Sequence, residues 1–225
     1  MKIKKIGVLT SGGDSPGMNT ALRAVVRTCA YNKIDCIGVY RGFQGLINDE
    51  MKVLKTRSVI GIINRGGTML YSARSEEFKS VSGRKKAFLN IKKNKIDALV
   101  VIGGDGSFTG AMVFQNEYNI PVIGIPGTID NDLFGTSHTL GYDTALNTVM
   151  EAIDKIRDTA ISHDRLFFVE VMGRDAGHIA LNSGIAIGAQ EILIPESKIG
   201  LDELIISLRK SKKLGKTSNI VVVSE

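Results

Sequence analysis

Seven short apolar runs in this chain, at residues 6–10, 35–40, 98–102, 122–125, 166–171, 191–194 and 220–223, are continuous instead of alternating in polarity. Strands read this way when both faces are covered, which is the condition of a parallel sheet. Helical patterns lie between them. Ser15 suits a helix cap and Pro16 suits a first helical position, so a helix is predicted from there to about Ala30. Another is predicted after Asp143, with Leu146, Val149, Met150, Ile153 and Ile156 on one face. Strands and helices in alternation imply an α/β fold with mainly parallel sheets. No linker or low-complexity segment interrupts the pattern. A soft boundary at 135–139 suggests two lobes, 1–138 and 139–225. The final residues, IVVVSE, read as a buried strand at the very end of the given chain. Such a strand is normally covered, so further chain is expected beyond Glu225.

The net charge of +6 leaves nucleic acid, a membrane surface or small anions as partners. The lysines are scattered or in short groups such as Lys85-Lys86 and Lys92-Lys93, and the aromatics, 6% of residues, do not interleave with them. That argues against nucleic acid. Several arginines sit inside glycine-rich motifs instead, which suits phosphorylated small molecules. No apolar run approaches membrane length. The basic start MKIKKIGVL runs straight into SGGD, so it reads as a strand and not a leader. Cys29 and Cys36 form neither a CxxC nor a metal spacing, and read as packed thiols in a reducing compartment. The cytoplasm is the expected location.

Ligands of open parallel sheets bind beyond the carboxyl ends of the strands. Five polar or glycine-rich motifs fall at such ends: Ser11-Gly12-Gly13-Asp14, Gly103-Gly104-Asp105-Gly106-Ser107, the segment from Pro126 to Asp132, Met172-Gly173-Arg174-Asp175, and Ser224-Glu225. A GGD turn lets backbone N–H groups approach a phosphate, and a following helix N-terminus adds positive potential; alone, such a turn is as often an ordinary connection. GGDGS adds a carboxylate, Asp105, suited to Mg²⁺. No GxxxxGK[ST] occurs. Thr128-Ile129-Asp130-Asn131-Asp132 is the sharpest signal. Two carboxylates two residues apart repel unless a cation or a proton-accepting role separates them. Arg74, Arg165 and Arg174 are candidates for steadying a transferring phosphoryl group, though each alone reads more often as a surface ion pair. His138, His163 and His178 lack metal spacing and read as surface or capping residues.

Taken in order, SGGDSPGMN, NRGGTMLYSAR, VVIGGDGS, PGTIDND, VEVMGRDAG and IPE resemble the bacterial 6-phosphofructokinases over essentially the whole chain. The resemblance implies two Rossmann-like lobes, the first binding nucleotide and the second binding sugar phosphate. It implies transfer of the γ-phosphoryl of MgATP to the 1-hydroxyl of fructose 6-phosphate. Gly13 and Arg74 would lie by the ATP phosphates. Gly104, Asp105, Gly106 and Ser107 would form the nucleotide loop, with Asp105 placing Mg²⁺. Thr128 and Asp130 would contact the sugar, Asp130 as catalytic base and Asp132 assisting. Met172, Gly173 and Arg174 would hold the sugar phosphate, Glu225 would hydrogen-bond the sugar, and Arg165 would reach the 6-phosphate in a neighbouring subunit of a homo-oligomer, usually a tetramer. Arg23, Arg27, Arg157 and Lys216 match the basic residues of an effector site for ADP or phosphoenolpyruvate. Gln190 stands there in place of a common metal-binding glutamate, and Leu214 in place of a lysine. Glycine at 106 and at 127, where pyrophosphate-using relatives typically carry Asp and Lys, favours ATP as donor. The family continues beyond Glu225. A pyrophosphate-dependent enzyme, or a non-catalytic nucleotide- or effector-binding module, are the alternatives.

Overall fold

The structure is a computed structural model that describes residues 3–163, 165–197, 200–215 and 219–225. The chain divides into two compact units, Met1–Thr128 with Leu133–Gly141, and Ile129–Asp132 with Tyr142–Glu225. In the first unit the order is β1 (Lys5–Thr10), α1 (Met18–Tyr31), β2 (Asp35–Val39), α2 (Gly42–Asn48), β3 (Met51–Leu54), a 3₁₀ turn at Thr56–Val59, α3 (Glu76–Lys79), α4 (Val81–Lys93), β4 (Ala98–Gly103), α5 (Asp105–Tyr118), β5 (Val122–Thr128) and the short β6 (Leu140–Gly141). The sheet order is β3-β2-β1-β4-β5-β6. All neighbours pair in parallel except β2 and β3.

The continuous apolar runs have the cause expected of them. Leu9, Val39, Leu99 and Val101 pack with α2, α4 and α5 residues such as Leu46, Ile91 and Phe114 on one face. Val8, Val100 and Ile102 pack with Met18, Leu22 and Val26 of α1 on the other. Every residue of β4 is buried.

Helix α1 starts later than Ser15-Pro16 suggests. Gly17 has φ 89°, in the left-handed region, so regular helix begins only at Met18. Ser15 is buried, and its hydroxyl has no partner among the described residues.

Strands β1 and β4 are also tied at their entry. Backbone N–H groups of Lys4 and Lys5 both donate to Asp97 Oδ2, at 2.8 and 2.9 Å. These two bonds hold the Asp97 carboxyl below its usual range. A depressed carboxylate stabilises the fold above its unfolded titration range, and that contribution disappears as pH falls through the folded value. Asp97→Ala is expected to cost about 1.5 kcal/mol at neutral pH. Urea melts should show this gap at pH 7 and its closure in acid.

The second unit contains α6 (Tyr142–Ser162), β7 (Leu166–Val171), α7 (His178–Ala186), β8 (Glu191–Leu193), α8 (Leu201–Lys213) and β9 (Asn219–Ser224), with a parallel sheet in the order β7-β9-β8. Its core joins Tyr142 and Ile153 of α6, Val171, Ile179, Ile220 and Val222, with Leu146 and Val149 packed against them. Strand β7 departs from the expectation of two covered faces: Val169 and Val171 turn inward, whereas Leu166 and Phe168 are exposed among the described residues. Among the described residues no helix is long and apolar enough to cross a membrane. Cys29 and Cys36 are free, buried thiols.

Candidate active site

In the first unit the chain leaves β1 through α1 toward β2, and β4 lies on the other side of β1. Helix α1 covers one face of the sheet and α5 the other. The two connections therefore part at the carboxyl ends of β1 and β4, which is where doubly wound sheets open a ligand crevice. The SGGD and GGDGS segments occupy those ends. They pack directly on one another. A Cβ on Gly103 would come within 2.5 Å of the Ser11 carbonyl oxygen and 2.7 Å of Ser107 Oγ, so only glycine lets the loops approach this closely. Thr128, at the end of β5, borders the second loop: a Cβ on Gly104 would lie 3.6 Å from Thr128 Cβ. By contrast, no atom of the described residues lies within 4 Å of the Cβ positions of Gly13 or Gly106. Their backbones face open space, the condition for a phosphate to reach the N–H groups.

A long-range set of hydrogen bonds brings the NRGGTMLYSAR segment against this crevice. Thr10 Oγ1 meets Thr68 Oγ1 at 2.9 Å and donates to the Tyr71 carbonyl at 2.9 Å. Ser72 Oγ donates to the Gly12 carbonyl. Buried Asn19 donates to the Arg65 carbonyl at 3.0 Å and accepts the Met69 N–H at 2.8 Å. Arg74 is exposed, two residues beyond the Ser72 that bonds to Gly12.

In the second unit the acid loop, the MGRD turn and the end of β9 meet. Asp130 is 8% exposed, and the Arg174 guanidinium reaches it at 3.8 Å. Asn131 has φ 53°, a left-handed turn that sends the chain away after Asp130 and leaves Asp132 exposed. The repulsion implied by two close acids is thus relieved by one pairing with an arginine and the other facing solvent. Gly173 has φ 152°, and a Cβ there would come 2.4 Å from the Ala176 carbonyl oxygen. The Arg174 backbone N–H donates to Glu225 Oε1 at 3.2 Å. Because β7 and β9 are parallel neighbours, Met172–Arg174 and Glu225 emerge at the same end of the sheet.

The other expected residues lie elsewhere. Arg165 precedes β7 and so sits at the opposite end of that six-residue strand from Arg174, about 20 Å away at the usual rise. Arg23 and Arg27 are one turn apart on α1, the first half-buried and the second exposed. Arg157 turns into its own unit, donating to the Ile187 carbonyl and lying 3.8 Å from Asp154. Lys216 lies outside the described residues. Asp105 is exposed in the first turn of α5. Among the described residues no group of three or more His, Cys, Asp or Glu is placed to hold a metal unaided. One exposed carboxylate beside open backbone nevertheless fits Mg²⁺, which is commonly held by one or two carboxylates together with the phosphates it accompanies.

The long-range bonds that seat residues 65–72 on this crevice, from Thr10 and Asn19, were not foreseen, because the partners lie 46 and more positions apart in sequence.

This sheet order, with close-packed glycine loops at the point where the strand order reverses, defines a doubly wound α/β protein of the kind that takes its ligand at the switch point. A family model described as Phosphofructokinase matches residues 5–225. The ATP-dependent 6-phosphofructokinase 2 of Bacteroides thetaiotaomicron is 56% identical over 99% of this chain and 68% of its own length. The ATP-dependent 6-phosphofructokinase of Bacillus pumilus is 58% identical over 99% of this chain and 70% of its own. The solved phosphofructokinase of Saccharomyces cerevisiae superposes with a TM-score of 0.94 at 42% identity, over 99% of this chain and 34% of that one. The chain belongs to the phosphofructokinase family.

Proposed function

We propose that the chain acts as an ATP-dependent 6-phosphofructokinase, a glycolytic kinase of the cytoplasm, converting MgATP and fructose 6-phosphate to ADP and fructose 1,6-bisphosphate. The observation that carries this reading is Asp130, nearly buried and paired with Arg174, in the loop that directly continues a strand of the nucleotide-type sheet. Asp130 takes the proton of the 1-hydroxyl as its oxygen attacks the γ-phosphorus, and the bond to the ADP oxygen breaks. Arg174 offsets charge on the transferring group, Arg74 steadies the ATP phosphates, and Asp132 assists with the metal. The open backbones of Gly13 and Gly106, with Gly104 and Ser107 shaping the loop, receive the donor phosphates. Thr128 and Glu225 hold the sugar, and Met172, Gly173 and Arg174 hold the sugar phosphate. Asp105 would hold Mg²⁺, which supplies charge neutralisation at the phosphates when bound.

Arg165 is too far along β7 to serve its own MGRD turn, so its proposed target is the sugar phosphate of a second copy in a homo-oligomer, a tetramer in the proposed assembly. Arg165→Ala is expected to raise KM for fructose 6-phosphate about tenfold with little change in KM for ATP. An unchanged KM would remove this contact. Arg23, Arg27, Arg157 and Lys216 are the proposed effector residues, for ADP or phosphoenolpyruvate.

Coupled assays with ATP and with pyrophosphate, run side by side and joined to calorimetry with MgATP, test the reading. Turnover with ATP supports it. Turnover with pyrophosphate alone, or MgATP binding without turnover, sinks it in favour of a pyrophosphate enzyme or a non-catalytic module.

A further inference from the structure

The segment Ile194-Pro195-Glu196 has no part in the reaction above, yet it lies directly behind the turn that carries Arg174. A Cβ on Gly177 would come 2.5 Å from Ile194 Cβ and 2.6 Å from Glu196 Oε2, so the chain leaving β8 is pressed against the start of α7. Gly177 is the N-terminal boundary of α7 and has no side chain with which to cap it. Its backbone N–H donates instead to Glu196 Oε1 at 2.8 Å. A carboxylate at a helix N-terminus is favoured by the helix dipole as well as by the bond itself. The Gly177 N–H, followed by the residue's own backbone N–H, holds the Glu196 carboxyl below its usual range. It is therefore an anion at neutral pH.

The turn between β7 and α7 is strained in a way that needs support at both ends. Gly173 has φ 152° and Arg174 φ 54°. The turn closes through the Ala176 N–H, which donates to the Gly173 carbonyl at 3.0 Å. At its front, Glu225 takes the Arg174 N–H. At its back, Glu196 takes the Gly177 N–H. A non-glycine residue in the left-handed region persists only where its surroundings over-determine it. With either clamp removed, the Arg174 guanidinium is no longer directed at Asp130.

We infer that Glu196 is a positioning residue for Arg174: its carboxylate clamps the Gly177 N–H and so fixes the turn that presents the guanidinium to the sugar phosphate. This rests on the sugar-phosphate role proposed above for Arg174. It also gives the IPE segment a task that neither its composition nor its spacing reveals.

Glu196→Ala and Glu196→Gln in the intact protein separate positioning from general stability. The amide oxygen of Gln accepts the same N–H, whereas Ala offers no acceptor. Expected for Ala is a loss of fructose 6-phosphate affinity, by calorimetry and as KM, of about tenfold. KM for MgATP should be unchanged, and hydrogen exchange at residues 173–177 should be faster. Expected for Gln is affinity within about twofold of the parent and parental exchange. Unchanged sugar-phosphate affinity in the Ala variant overturns the inference, as does a matching rise in both KM values or a Gln variant as impaired as Ala. Calorimetry needs no turnover, so it decides the role of Glu196 even in an inactive protein. A parent that binds fructose 6-phosphate without transferring phosphate would count against the proposed reaction instead.

Discussion

Replacing Asp130 by serine is expected to lower kcat by about 10²–10⁴-fold, the usual contribution of a positioned general base, while MgATP affinity stays near the parent value. The substitution is small, and a serine hydroxyl in the same place remains polar, so the loop after β5 has no reason to collapse. What disappears is the acceptor for the sugar's proton, together with the carboxylate that Arg174 meets at 3.8 Å. The glycine loops proposed for the donor belong to the other compact unit. Stopped assays with saturating fructose 6-phosphate and calorimetry with MgATP measure the two halves. Near-normal turnover in the serine variant would show that another group takes the proton.

The second large effect is expected at Gly106. No atom of the described residues lies within 4 Å of its Cβ position, so an aspartate fits without moving the fold. An acid in the first turn of a helix is itself mildly stabilising, and the melting temperature should not fall. The space it would fill is the space proposed for a donor phosphate. Two like charges about 4 Å apart repel by about 4 kcal/mol at an effective dielectric near 20. Gly106→Asp should therefore weaken MgATP binding about a thousandfold at parental stability. Calorimetry and a melting curve are the checks, and unweakened ATP binding would place the phosphates elsewhere. Gly127 is a poorer probe, because its Cβ position is crowded by Ile102 at 3.1 Å and Met18 at 3.2 Å.

Much of the fold class was legible because burial leaves a mark on the residues themselves. Val8-Leu9 and Val100-Val101 are apolar in succession because successive side chains enter two different cores. The same mark misled at β7, where Leu166 and Phe168 are apolar but exposed. Helix α1 was displaced by one glycine: the Ser-Pro pair reads as a cap, but the left-handed φ of Gly17 outweighs it. Strands β3 and β6 were not foreseen. One is four residues long and the other two, too short for any periodicity to register.

Within the candidate site, the glycine loops and the paired acids announce themselves locally, since each needs its residue types side by side. The links that hold them do not. Thr10 and Thr68, Asn19 and Arg65, Gly177 and Glu196 meet across 58, 46 and 19 positions of sequence. Nothing in either partner's neighbourhood names the other.

The most direct test follows the phosphorus itself. Phosphorus NMR of the protein with MgATP and fructose 6-phosphate should show a phosphate resonance at sugar carbon 1 growing in step with ADP, and neither signal advancing in the Asp130→Ser variant on the same timescale. ADP accumulating with free phosphate, or a sugar 1-phosphate signal that grows equally fast without the Asp130 carboxylate, would contradict the account.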